Sequence, residues 1–134
     1  MNKIILTVII LLTTMGSIAQ SLSENNPETI NQNVEKEILT YRLFPTQNMW
    51  TFIKLNTRNG KMWQVQYSMD VNKRFESNLS LISLVDIDYE VDNRFTLYPT
   101  QNTWNFILLD QIDGRTWQVQ WSIDYGKRGI MRIN

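Results

Sequence analysis

Apolar and polar residues alternate along two stretches of this chain with a period of two, which is typical of a half-buried β-strand. The stretches are Trp63–Ser68, which reads WQVQYS, and Trp117–Ser122, which reads WQVQWS. In a strand, the aromatic residues and the valine would lie on one face, and the two glutamines and the serine on the other. We call these the aromatic face and the glutamine face.

Both strands belong to a longer internal repeat with an offset of 54 residues. Residues 41–74 and 95–128 align without a gap, and 18 of these 34 positions are identical. Each copy contains a Pro-Thr-Gln-Asn turn signal and a loop that ends in glycine, and these divide it into a three-stranded meander. The strands are predicted at Tyr41–Phe44, Met49–Leu55 and Lys61–Ser68, and at Phe95–Tyr98, Thr103–Leu109 and Arg115–Ser122.

The segments around the repeats are predicted to add strands. Val85–Asp92 alternates apolar and acidic residues, which favours a strand with one solvated face. Leu79–Leu84 could be a strand or a short helix, and Gly129–Asn134 could close the sheet. The sequence therefore predicts an all-β fold of two tandem three-stranded meanders with extra strands. We expect a small sandwich or barrel with pseudo-twofold symmetry.

The N-terminus reads as a secretory signal. Lys3 precedes the apolar stretch Ile4–Leu12, and the small residues Ser17 and Ala19 suit cleavage after Ala19. Such a stretch is too short to cross about 30 Å of hydrocarbon as a helix. We therefore expect export to the periplasm or the extracellular space, without stable membrane insertion after cleavage.

Five segments follow from these patterns. The signal peptide covers residues 1–19, and a polar leader covers 20–38. Repeat 1 covers 39–76, a connecting strand segment covers 77–93, and repeat 2 with a C-terminal strand covers 94–134.

Composition narrows the chemistry. The chain of 134 residues balances 13 Lys and Arg against 13 Asp and Glu, and it contains no His and no Cys. A neutral chain lacks the basic field that attracts phosphate backbones, so we expect no nucleic-acid partner. Thiol nucleophiles, imidazole bases and the usual zinc ligand sets are missing, so we expect no metal, no cofactor and no catalytic activity.

Two features exceed what a meander needs, and we predict ligand contacts there. The glutamines could simply be solvated, or they could line a groove for sugar hydroxyls or a peptide, because an amide both donates and accepts hydrogen bonds. A recurring Asp-Lys-Arg group after the last repeat strand could be a solvated loop, or a clamp for an anion or carboxylate. The predicted ligand-binding residues are Gln64, Gln66, Gln118, Gln120, Asp70, Asp124, Arg74 and Arg128.

The repeat motif also carries a resemblance. The pattern PTQNxWxFIxLxxxxGxxWQVQxS, at Pro45–Ser68 and Pro99–Ser122, resembles small secreted tandem-repeat β proteins of gut Bacteroidales. The resemblance implies export, and it transfers no activity and no catalytic residue.

Three functions are compatible with these observations. The first is a secreted, non-catalytic module that binds carbohydrate or another protein. The second is a carboxylate-based hydrolase of glycans or peptidoglycan, with Asp70 and Asp124 as candidates by repeat symmetry. The third is a structural subunit that assembles through exposed edge strands, for example as a homodimer.

Overall fold

The computed structural model describes residues 39–134, so the predicted signal peptide and polar leader lie outside the described residues. The described part is all-β, as predicted, and contains eight strands. Strands β1 to β4 are Tyr41–Pro45, Thr51–Asn56, Met62–Gln66 and Phe75–Ser80; β5 to β8 are Phe95–Pro99, Asn105–Asp110, Thr116–Gln120 and Gly129–Ile133.

Each repeat forms its own antiparallel sheet, with strand order β1-β2-β3-β4 in sheet 1 and β5-β6-β7-β8 in sheet 2. The register is the same in both sheets: Phe52 lies opposite Val65, and Phe106 lies opposite Val119. The three predicted strands of each repeat are confirmed, and the two sheets pack as a sandwich around one hydrophobic core.

Each meander has a fourth strand, which lies beyond the region of strong repeat similarity. A short 3-10 turn, Val71–Lys73 or Tyr125–Lys127, leads into β4 or β8. These two strands begin 54 residues apart, yet Phe75–Ser80 and residues 129–134 share no identical position. The prediction that the C-terminal tail closes the sheet is confirmed, because β8 pairs with β7.

The predicted strand at Val85–Asp92 is wrong. This segment links the two sheets as an irregular loop, with a 3-10 turn at Ile87–Tyr89. Two of its acidic side chains bond to residues at one end of sheet 1: Thr40 Oγ1 donates to Asp92 Oδ1 at 2.7 Å, and Asn59 Nδ2 donates to Glu90 Oε1 at 3.1 Å. An alternating segment forms a strand only where its backbone pairs with a neighbouring strand. Here the edge strands are β1 and β4 in sheet 1 and β5 and β8 in sheet 2, and Val85–Asp92 pairs with none of them.

The two sheets bury opposite faces of the same repeat. Sheet 1 turns its glutamine face inward, with Ile53 and Leu55 fully buried, whereas sheet 2 turns its aromatic face inward, with Val119 and Trp121 fully buried. Pseudo-twofold symmetry would bury the same face of both copies. Here the glutamine face of sheet 1 packs on the aromatic face of sheet 2, and we call this relation head to tail. The buried apolar cluster comprises Ile53, Leu55, Met62, Leu79, Phe95, Leu97, Phe106, Leu108, Trp117, Val119 and Trp121.

Two sequence differences between the repeats explain this sidedness. On the aromatic face of sheet 1, Lys54 forms a salt bridge with Glu76, and its Nζ lies 4.8 Å from the Trp63 ring centroid. The equivalent residues of sheet 2 are Leu108, which is fully buried, and Ile130, which packs against the core. Burying a charged pair carries a desolvation penalty of several kcal/mol, whereas burying leucine is favourable. The aromatic face of sheet 1 therefore stays outside.

Equivalent glycines in the two hairpin loops differ in what surrounds them. Gly60 and Gly114 both have positive φ, of 80° and 71°. A Cβ on Gly60 would lie 2.7 Å from Leu84 Cδ1, whereas a Cβ on Gly114 would meet nothing within 4 Å. We expect Gly114→Ala to lower the free energy of unfolding by about 1 kcal/mol, from backbone strain alone.

Gly60→Ala should lower it by about 2–4 kcal/mol, because the clash with Leu84 adds to the same strain. Equilibrium urea unfolding of both variants would measure the difference. Equal losses would show that Leu84 does not pack over the Gly60 loop.

Candidate functional site

The predicted glutamine site is divided between the core and the surface. Gln64 is fully buried, because sheet 1 turns its glutamine face toward sheet 2. Neither Nε2 nor Oε1 of Gln64 has a hydrogen-bond partner among the described residues. Gln66, Gln118 and Gln120 are half-buried. Gln64 is therefore unavailable to a ligand in this fold, and the four glutamines do not form one groove.

An unpartnered buried amide destabilises a fold, since it loses its hydrogen bonds to water without replacing them. We expect Gln64→Met to raise the free energy of unfolding by about 1–2 kcal/mol, because methionine fills a similar volume without polar atoms. Gln118→Met, at the equivalent but half-buried position, should change it by less than about 0.5 kcal/mol. Thermal unfolding of both variants tests this, and destabilisation by Gln64→Met would contradict it.

The recurring Asp-Lys-Arg group builds a turn. Asp70 Oδ1 accepts a hydrogen bond from the backbone N of Asn72 at 2.9 Å, which caps the 3-10 turn. Arg74 Nε donates to the Ser68 carbonyl at 2.7 Å, and Lys73 Nζ lies 3.8 Å from Asp70 Oδ2. The local fold of this turn explains why both repeats keep these residues.

Repeat 2 has the same turn with one addition. Asp124 Oδ1 accepts from the backbone N of Gly126 at 3.0 Å, and Arg128 Nε donates to the Ser122 carbonyl at 2.7 Å. Arg128 Nη1 also donates to Ser77 Oγ at 2.5 Å, which links the turn to β4 of the other sheet. The two arginines are therefore engaged in holding the fold together.

A concave pocket of about 530 Å³ lies beside the turn of repeat 2. Two of the predicted site residues, Gln120 and Asp124, line it. The other lining residues are Trp104, Trp121, Ser122, Ile123 and Lys127. The volume lies within the range of small-molecule binding pockets, which is roughly 300–1,000 Å³.

Two indoles form the apolar part of this pocket. Their ring centroids are 4.8 Å apart, with the planes tilted by 46°. Trp121 is fully buried, and its Nε1 donates to the Thr103 carbonyl at 2.9 Å. Trp104 is 42% exposed and lies in the turn before β6, where its backbone N donates to Asn102 Oδ1 at 2.9 Å. One indole is thus fixed by the core and supports the other, which faces solvent.

Polar groups complete the pocket. Lys127 Nζ lies 3.6 Å from Asp124 Oδ2, so an ammonium and a carboxylate are both present at its edge. The Gln120 side-chain amide forms no hydrogen bond among the described residues. The pocket therefore offers both donors and acceptors next to an exposed aromatic surface.

Repeat 1 differs at the equivalent position. Trp50 is 39% exposed, and its ring centroid lies 5.1 Å from that of Tyr67, which takes the place of Trp121. The Gln66 amide donates to the Lys73 carbonyl at 3.1 Å, so it is already committed. The two copies therefore do not present identical sites.

The sequence identified Gln120 and Asp124 but not the role of Trp104. The sequence places Trp104 in the predicted strand Thr103–Leu109, where both faces are apolar, and this favours a core position over an exposed aromatic platform for a partner. In the structure Trp104 precedes β6 and belongs to the turn after Pro99. The Pro-Thr-Gln-Asn signal immediately before it is the only sequence feature that indicates a turn position.

A second concave region, of about 450 Å³, includes Arg94, Asp113 and Arg115. Arg94 is buried and forms two hydrogen bonds with the fully buried Asp110, at 3.1 Å and 3.0 Å. It also contacts Asp113 at 2.7 Å, and Arg115 contacts Asp110 at 2.9 Å. The cations are thus balanced by carboxylates of the chain itself, which is typical of a structural ion-pair network.

The Asp110 carboxyl is held in its charged form. Burial on its own raises the pKa, but hydrogen bonds from Arg94, from two backbone amides and from Arg115 outweigh burial and lower the pKa to about 2. The pKa of Arg94 is raised, chiefly by its hydrogen bond to Asp110.

None of the helical segments within residues 39–134 has the length and hydrophobicity that a membrane span requires. In the same part of the chain, no three or more acidic residues come together as a metal-binding group. Comparison with known proteins gave no matching family model, no similar curated protein and no similar solved structure.

Proposed function

We propose that this protein is a non-catalytic binding module that takes a carbohydrate in the Trp104 pocket. The observation that carries the proposal is the exposed Trp104 indole, which Trp121 supports and which lies in the same pocket as the Gln120 amide. An aromatic face packs against the apolar C–H surface of a sugar ring, while amide and charged groups bond its hydroxyls. Export to the periplasm or the extracellular space, which the N-terminal pattern predicts, would bring the protein into contact with glycans.

The presence of a single carboxylate in the pocket favours binding over hydrolysis. Glycoside hydrolysis uses a pair of carboxyl groups about 5–9.5 Å apart across the ligand. Asp124 is the single carboxylate among the residues that line the pocket, and it caps the 3-10 turn and pairs with Lys127. Asp70, its repeat equivalent, caps the corresponding turn in the other sheet.

The test is isothermal titration calorimetry of the chain against a panel of oligosaccharides. We expect saturable binding of at least one glycan, and a loss of at least about tenfold in affinity, or 1.4 kcal/mol, for Trp104→Ala and for Gln120→Ala. Calorimetry is preferable to fluorescence because the first variant removes a reporter indole.

The matched control is Trp50→Ala, which removes the same side chain at the equivalent, similarly exposed position of repeat 1. It should leave the affinity within about twofold of the unmodified chain. Absence of binding across the panel, or equal losses for Trp50→Ala and Trp104→Ala, would contradict the proposed site.

A further inference from the structure

Within residues 39–134, the head-to-tail packing of the two sheets leaves two complementary faces that no other described element covers. Inside the sandwich, the glutamine face of sheet 1 covers the aromatic face of sheet 2. Outside, the aromatic face of sheet 1 and the glutamine face of sheet 2 remain. These outer faces are the repeat equivalents of the two faces that pack together inside.

The aromatic face of sheet 1 consists largely of residues whose equivalents are core. Tyr41 and Leu43 are exposed, with Leu43 at 58%, whereas their counterparts in sheet 2, Phe95 and Leu97, are buried. Phe52, Trp63 and Val65 are only half-buried, while Phe106, Trp117 and Val119 are buried. Exposed apolar side chains that cluster on one face of a sheet are typical of an interaction surface.

The glutamine face of sheet 2 also carries apolar side chains that are exposed or half-buried. Ile107 and Leu109 are half-buried, although their counterparts Ile53 and Leu55 are fully buried. Met131 lies opposite Gln118 in β8 and is 58% exposed. This face therefore carries the same central residues that sheet 1 uses to cover an aromatic face.

We infer that the occupant of each outer face is a second copy of this chain, stacked head to tail. The aromatic face of sheet 1 of one copy packs on the glutamine face of sheet 2 of the next. The contact continues the internal interface, since at most positions the same residue types meet. Such a heterologous contact adds copies in one direction, and it ends only if the rotation between copies closes a ring. It involves sheet faces rather than edge strands, and its glutamine face shares Gln120 and Ser122 with the lining of the Trp104 pocket.

The Lys54–Glu76 salt bridge weakens this contact relative to the internal one. It lies on the outer aromatic face, at the positions where sheet 2 has Leu108 and Ile130. Stacking has to desolvate the pair, so association should be reversible and dependent on concentration. The pair also keeps the free face soluble.

The test is sedimentation velocity of the full chain from about 1 to 100 μM. We expect the average mass to rise with concentration beyond that of a dimer. Leu43→Lys adds a charge to the aromatic face of sheet 1, and Met131→Lys adds one to the glutamine face of sheet 2. Both positions are more than half exposed, so the variants should fold, and their thermal unfolding checks this.

A head-to-tail contact has a distinctive signature in these variants. Each variant alone should be monomeric, because it lacks one of the two faces. An equimolar mixture should form a one-to-one dimer and nothing larger, because only one intact pair of faces remains. Ile87→Lys is the control, since Ile87 is 80% exposed in the connecting loop and lies on neither face. It should associate like the unmodified chain.

A chain that stays monomeric over the whole range would overturn the inference. So would association that one variant abolishes and the other leaves intact, because that pattern indicates a twofold contact between like faces.

Replacing the salt bridge with the residues of repeat 2, through Lys54→Leu with Glu76→Ile, should strengthen association at least tenfold. Unchanged or weaker association in this double variant would also count against it. None of these variants alters a residue of the Trp104 pocket, so glycan binding by the monomeric Leu43→Lys variant is measured separately from stacking.

Discussion

Truncating Ile53 to alanine should lower the free energy of unfolding by about 2–5 kcal/mol, whereas the same truncation at Ile107 should lower it by less than half as much. The two isoleucines occupy the same position in the two repeats. Ile53 is fully buried beneath sheet 2, and Ile107 is half-buried on the outer face. Only the buried side chain leaves a cavity when it is shortened.

The inverse comparison uses the aromatic face. Val119→Ala should lower the free energy of unfolding by about 2 kcal/mol, because Val119 is fully buried. Val65→Ala should lower it by less than about 1 kcal/mol, because Val65 is only half-buried. Equilibrium urea unfolding of the four variants measures all four free energies. Repeat 1 is then sensitive on its glutamine face and repeat 2 on its aromatic face. Equal losses within each pair would refute the head-to-tail packing.

Replacing Asp110 with asparagine should lower the free energy of unfolding by about 3–5 kcal/mol, because it leaves the buried Arg94 without its bidentate partner. The equivalent residue of repeat 1 is Asn56, whose Oδ1 accepts from the backbone N of Arg58 at 2.9 Å. Asparagine is thus compatible with this loop, so the loss reports on the ion pair and not on loop geometry. Asn56→Ala is the control, with an expected loss of about 1 kcal/mol.

The pH dependence of stability provides a second check on the same residue. The pKa of Asp110 is about 2 in the folded chain, below its ordinary value of 3.8, so the folded state favours the charged form. This contribution is fully present above about pH 4 and is lost as the pH falls through the folded pKa of about 2. It amounts to about 2 kcal/mol, and Asp110→Asn should remove this part of the acid sensitivity. An unchanged pH profile in the variant would contradict the role assigned to the pair.

The local structure of each repeat was largely predictable from the sequence. The Trp-Gln-Val-Gln alternation and the glycine loops predicted β3 and β7 and the hairpins before them. These features depend on residues that are close in the chain, where strand period and turn chemistry act directly. The same argument failed for Val85–Asp92, because alternation says nothing about whether a partner strand is available.

The candidate site was predictable only in part. Gln120 and Asp124 line the Trp104 pocket, but Gln64, with the same local sequence as Gln118, is buried in the core. The same Trp-Gln-Val-Gln sequence thus has opposite surroundings in β3 and β7. These four shared residues contain no information on which face meets the other sheet.

The sequence by itself determined the strands, the turns, the duplication and the division of each repeat into an aromatic and a glutamine face. Only the tertiary structure decided which face of each sheet is core, and therefore which residues remain for a ligand or a second copy. The physical reason is that burial depends on the free energy of a whole interface. A charged pair at Lys54 and Glu76, set against Leu108 and Ile130, directs two nearly identical sheets to bury opposite sides.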